Sequence, residues 1–115
     1  MLHQVNRFHG HNSLKFVYRN GESVRGSLMT IKYVSNPRRK NSRFAVVVSK
    51  KILKSAVGRN RIRRRIYGIV RLEKNKLKDS QDIIFIIASA EIANMPYSEL
   101  LTVVKHLLSQ ANLYK

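Results

Sequence analysis

Two apolar runs without a polar break, Phe44–Val48 in RFAVVVSKK and Ile83–Ala88 in DIIFIIA, bracket a segment of helical period from about Ser55 to Asn75. Short runs of this kind, rich in β-branched residues, are strands covered on both faces. In the segment between them, Ile62, Ile66, Ile69 and Val70 fall within an arc of roughly 100° on a helical wheel, wide enough to dock a helix on a sheet. Strand, helix and strand in this order call for a sheet with helices packed against it.

The flanking segments fit the same plan. GSLMTIKYV (Gly26–Val34) alternates, with Met29, Ile31 and Tyr33 on one face and Leu28, Thr30 and Lys32 on the other. A shorter strand precedes it around Ser23–Arg25, and NPRRKNS is a polar turn between strands. Asn12 and Ser13 are helix N-caps and Gly21 is a stop, so Leu14–Asn20 reads as a short helix. Pro96 and Ser98 open a final helix with the apolar stripe Leu100, Leu101, Val104, Leu107, Leu108 and Ala111. The fold class is α+β, a two-layer sandwich of one sheet and helices. At 115 residues it forms a single domain, 1–115, with 1–11 expected to be mobile.

Charge then decides the class of partner. The chain has 23 Lys/Arg against 6 Asp/Glu, a net +17, and no acidic residue between Glu22 and Glu73. Such an excess points to a large polyanion. Five arginines, Arg59, Arg61, Arg63, Arg64 and Arg65, stand within seven residues of the central helix. On the wheel Arg63, Asn60, Arg64, Arg71 and Arg61 lie opposite the isoleucines, with Arg65 at the border. Like charges at i,i+4, such as Arg59 with Arg63 and Arg61 with Arg65, cost a few tenths of a kcal/mol each, so helix stability does not explain them. Arginine's planar fork suits phosphate, and Lys50 and Lys51 at the preceding strand end add two cations. A helix N-terminus contributes free N–H groups to the same place. Base-reading side chains are scarce, with Asn60 alone among the arginines. The expected ligand is therefore a phosphate backbone read by shape, RNA in preference to DNA.

Other chemistries find less support. There are no cysteines, which excludes disulfides and thiol catalysis. The six carboxylates are scattered without metal-ligand spacing, which disfavours a nuclease with its own metal site. His9 and His11 could together bind a metal but are read as solvated, and His106 falls off the apolar stripe of the last helix. No apolar run approaches the ~20 residues of a membrane span, and no signal-peptide pattern opens the chain, so the expected location is cytoplasmic.

SKK followed by AVGRNRIRRRI resembles the signature of the protein subunit of bacterial ribonuclease P. The likeness extends over most of the chain, through YRNGESVRGSL, FAVVVSKK, DIIFIIA and YSELLTVVKHLL. It implies a four-stranded mixed sheet in αβββαβα order, related to a ribosomal-protein domain, with a left-handed crossover through the long helix. It also implies a role in removing the 5′ leader from precursor tRNA. In that family a large RNA is the catalyst and holds the Mg2+, and the protein supplies no catalytic residue and holds no metal. The partners implied are the catalytic RNA and precursor tRNA with its leader, with the protein a monomer and no membrane involved. The signature maps RNA binding onto Lys50, Lys51, Arg59, Asn60, Arg61, Arg63, Arg64 and Arg65. It maps leader binding onto Leu14, Tyr18 and Lys32. Leu14 and Lys32 stand where aromatics are common, Tyr67 where an arginine is common, and no glycine follows the lysines. The alternative is a structural, ribosomal-type protein that binds rRNA.

Overall fold

The two apolar runs lie side by side as parallel strands, joined through the arginine-bearing helix. The computed structural model describes residues 11–115, with side chains from Leu14 onward. Helix α1 (His11–Asn20) leads into strands β1 (Glu22–Arg25), β2 (Met29–Ser35) and β3 (Arg43–Val47). Helix α2 (Ala56–Glu73) then crosses to β4 (Gln81–Ile87), and α3 (Tyr97–Gln110) closes the chain. Short 3-10 turns cover Lys74–Lys76 and Ala90–Ala93. The element order is αβββαβα, and the sheet order β1-β2-β4-β3. β1 with β2 and β2 with β4 are antiparallel, whereas β3 with β4 is parallel.

Strand β4 explains its own apolar sequence. It is hydrogen-bonded on both edges and buried from Asp82 through Phe85 and again at Ile87. One sheet face presents Met29, Ile31, Phe44, Val46, Ile83 and Phe85 to Ile62, Ile66, Ile69 and Val70 of α2 and to Leu100, Val104 and Leu108 of α3. The opposite face is smaller: Ala45 and Ile84 pack with Val17 of α1, edged by Leu14, Val34, Val47 and Ile86. Tyr33 belongs to the α2–α3 side, as strand alternation requires with Lys32 facing the other way.

Some boundaries move from the sequence expectation, as α1 does in beginning at His11 where Leu14 was expected, and others hold, each for a local reason. The β3 ladder ends at Val47 opposite Ile86, because the chain turns at Ser49, whose carbonyl accepts from the N–H groups of Ile52 and Leu53. Ser55 caps α2 through an Oγ that accepts the Gly58 N–H at 3.1 Å. Gly21 ends α1 by donating its N–H to the Val17 carbonyl at 2.7 Å. It is glycine for want of room, since a Cβ there would lie 2.6 Å from the Val17 carbonyl oxygen and 2.9 Å from that of Tyr33. Pro96 precedes α3 without a side-chain cap.

The β3–β4 pair is locked at one end by charge. Arg43 and Asp82 are register partners, and the Arg43 guanidinium donates to Asp82 Oδ1 at 3.0 Å and Oδ2 at 2.8 Å. The Asn36 amide donates to the same Oδ2 at 2.9 Å. One of the basic residues in the acid-free interval is thereby a buried structural group.

Candidate nucleic-acid interface

Packing determines which side of α2 is available. Ile62, Ile66, Ile69, Val70 and Glu73 are buried, so the arginines are left at the flanks and on the outer side. Among the described residues the ion pairs are Arg43–Asp82 and Lys76–Glu73, and no arginine from Arg59 to Arg65 meets a carboxylate.

The arginines nevertheless differ in what they touch. Arg59 Nη1 donates to the carbonyls of Leu53 and Lys54, at 3.0 and 2.7 Å, and so braces the loop that enters the helix. Arg63 Nη1 donates to Asn60 Oδ1 at 2.8 Å, one turn back on the same face. Arg61 and Arg65 both reach the turn after β4. Arg61 Nε donates to the Ala93 carbonyl at 2.5 Å, and Arg65 donates to Ile92 at 2.7 Å and Met95 at 2.6 Å. Arg64 is exposed and makes no hydrogen bond or ion pair among the described residues. Lys50 and Lys51 are likewise exposed where the chain leaves β3.

A sequence wheel places these arginines by angle but is blind to their partners, which are backbone carbonyls. Ile92, Ala93 and Met95 thus belong to the site through oxygens that every residue possesses. The only advance signal is the length of the arginine side chain.

The second set of candidate residues gathers on the other face of the sheet. Leu14 and Tyr18 are one turn apart on α1, flanking the buried Val17. Lys32 lies opposite Ile84 in the ladder and so on the α1 face, with Nζ 5.6 Å from the centre of the Tyr18 ring, a cation–π contact. Tyr18 keeps 41 % of its surface exposed, and partial burial pushes its hydroxyl pKa up. Phe16, on the same helix, is 48 % exposed, a large apolar surface that the periodicity of so short a helix did not single out. Tyr67 is half-buried against the core and is not on the outer arginine face. His9 lies outside the described residues, as does the side chain of His11; the N-terminal segment expected to be mobile, 1–11, falls almost wholly there. His106 is exposed.

No helix among the described residues is long and apolar enough to cross a membrane. Glu73 and Asp82, the buried carboxylates, are both engaged: Asp82 with Arg43, and Glu73 Oε1 with the Tyr114 hydroxyl at 2.8 Å. Among the described residues no three His, Asp or Glu side chains converge as a metal cage would require.

This fold recurs in known proteins. The ribonuclease P protein of Staphylococcus aureus superposes with a TM-score of 0.85 at 24 % identity, over 96 % of this chain and 98 % of that one. That of Thermotoga maritima gives 0.77 at 21 % identity, over 88 % and 94 %. At such identities the likeness establishes the fold. Sequence carries the rest: the ribonuclease P protein component of Pseudanabaena sp. is 33 % identical over 112 residues, 96 % of this chain and 95 % of that protein. That of Clostridium kluyveri is 36 % identical over 113 residues, covering 96 % and 98 %. The family model for ribonuclease P matches residues 2–112, and the chain belongs to the ribonuclease P protein family.

Proposed function

We propose that this chain binds the catalytic RNA of ribonuclease P through the outer side of α2 and the β3 end, and guides the 5′ leader of precursor tRNA along the α1 face. The observation that carries the reading is the row of cations without carboxylate partners, from Lys50 and Lys51 to Arg64. Each phosphate such a group neutralises releases condensed counterions, so binding is favoured at low salt and weakens as salt rises. The same charge substitutes for part of the cation atmosphere that a folded RNA needs, which lowers the magnesium required for activity.

The chain's own contribution is binding and orientation. Asp82 and Glu73 are tied to Arg43 and Tyr114, so neither is open for general acid–base work. Cleavage chemistry belongs, on this reading, to the RNA and the Mg2+ that it holds. On the α1 face the exposed part of the Tyr18 ring is a stacking platform, which takes any base because every base has a π-face. Lys32 supplies a cation beside it for the leader's phosphates, and Leu14 adds apolar contact in place of a second ring.

The test is cleavage of precursor tRNA by a bacterial ribonuclease P RNA at low magnesium, with and without the protein. Rescue of cleavage at the mature 5′ end is the expected result. Failure to rescue, together with tight binding to rRNA fragments, would replace this reading with a structural rRNA-binding role.

A further inference from the structure

The arginines of α2 that look alike in sequence divide by their partners, and two of them converge on one turn. Arg65 spans the Ile92 and Met95 carbonyls with its two terminal nitrogens, which closes the 92–95 turn onto the helix. Ile92 and Ala93 are buried beneath it. Between those carbonyls in the chain stands Ala93, whose own carbonyl accepts from Arg61 through Nε and leaves both Nη groups without a protein partner among the described residues.

A guanidinium is planar, so a hydrogen bond at Nε fixes the orientation of the whole group. The Nη1–Nη2 edge, the fork that takes two phosphate oxygens, then points away from Ala93. We infer that Arg65 is a positioning residue for RNA binding: it holds the 92–95 turn, whose Ala93 carbonyl presets Arg61 to receive a phosphate. Arg65 itself contributes no phosphate contact, since its terminal nitrogens are engaged in the protein. The inference rests on the reading of α2 as the RNA face.

Preorganisation removes the cost of ordering one long side chain at the moment of binding, a factor of about 2 to 12 in affinity. A direct phosphate contact has a different signature, a fall of about 0.7 to 0.9 in the slope of log affinity against log salt. The full chain is titrated with a bacterial ribonuclease P RNA over a range of salt, and thermal unfolding of each variant is followed alongside. Arg65→Met is expected to lose about 2- to 12-fold in affinity with the wild-type slope. Arg64→Met and Arg61→Met are expected to lower the slope by that amount. In the Arg61→Met background, Arg65→Met is expected to have no further effect, because nothing remains to be preset.

Should Arg65→Met fail to fold, Arg65→Lys serves instead. It keeps the charge and a donor but loses the planar bridge, so affinity falls and the slope stays. A slope change equal to that of Arg64→Met, an undiminished effect in the Arg61→Met background, or no effect of either Arg65 variant would each overturn the inference. If the wild-type chain binds this RNA without steep salt dependence, the proposed function falls first. If it binds steeply and the double variant is additive, only the role of Arg65 falls.

Discussion

The Arg43–Asp82 pair allows a stability effect to be worked out from geometry. Asp82→Asn keeps the size of the side chain and its capacity to accept one hydrogen bond, but removes the charge and sets an amide N–H₂ against a donor. The Arg43 side chain is only 9 % exposed and that of Asp82 1 %, so the guanidinium cannot turn to water without opening the β3–β4 end. Removing one partner of a buried pair costs about 3–5 kcal/mol, because the remaining charge stays desolvated. A 115-residue domain has an unfolding entropy of about 0.24 kcal/mol/K near its midpoint, so the melting temperature should fall by about 12–20 °C. Against a total stability of about 6–17 kcal/mol, the variant remains folded at room temperature. The assay is calorimetric or circular-dichroism melting at neutral pH. A companion variant, Arg43→Met with Asp82→Leu, removes both charges and should recover most of the loss, since a well-packed apolar pair is close to neutral relative to a buried ion pair. A fall of less than about 4 °C for Asp82→Asn, corresponding to roughly 1 kcal/mol, would refute the account of this pair as a desolvated lock.

Two glycines should respond in opposite directions. Gly21→Ala forces a Cβ against two carbonyl oxygens of the backbone and should cost about 1–3 kcal/mol. Gly68→Ala, on α2 with nothing within 4 Å of the added carbon, should stabilise by about 0.5–1 kcal/mol. Denaturant midpoints measured side by side check both, and equal shifts would contradict the packing. Burial and the hydrogen bond to Glu73 hold the Tyr114 hydroxyl well above the ordinary tyrosine range. A group raised in the folded state stabilises fully below the unfolded pKa of about 10 and loses that contribution as pH climbs beyond it. The stability gap between wild type and Tyr114→Phe should therefore be flat to about pH 10 and then move against the wild type; a gap unchanged at pH 11 would rule this out. On the α1 face, Tyr18→Ala should weaken binding of precursor tRNA by the holoenzyme by about 1–3 kcal/mol for each base stacked, and leave binding of leaderless tRNA unaltered. Equal losses for the two RNAs would mean that Tyr18 acts through the fold.

Strands β3 and β4 were legible because a strand buried on both faces must be apolar throughout, and little else produces such short runs between turns. The alternation of β2 was enough to put Lys32 and Tyr33 on opposite faces, and the structure places Lys32 beside Tyr18 and Tyr33 against the α2–α3 core. The extent of β3 was not legible, since Val48 is as apolar as Val47; the ladder stops for reasons lying in the Ser49 turn and in the reach of β4. Gly21 was legible as a stop, but its cause is the closeness of two backbone oxygens contributed by different elements. A single sequence carries no mark of that second oxygen.

The arginine row is where sequence and structure teach different things. Read as a wheel, Arg61 and Arg65 are a repelling i,i+4 pair that weakens the helix by a few tenths of a kcal/mol, with no carboxylate beside it to offset the cost. In the folded chain both point at carbonyl oxygens of the 92–95 turn, and Arg59 points at two more before the helix begins. Carbonyl dipoles thus take up part of the field that repulsion would otherwise build, without bringing in a carboxylate. A carboxylate would neutralise the face and compete with phosphate, whereas a carbonyl holds a guanidinium and leaves its full charge in place. The helix can therefore fold with no anion bound and still present a row of cations at its surface. That combination explains how a chain with no acidic residue between Glu22 and Glu73 can hold a regular 18-residue helix through the densest part of its positive charge.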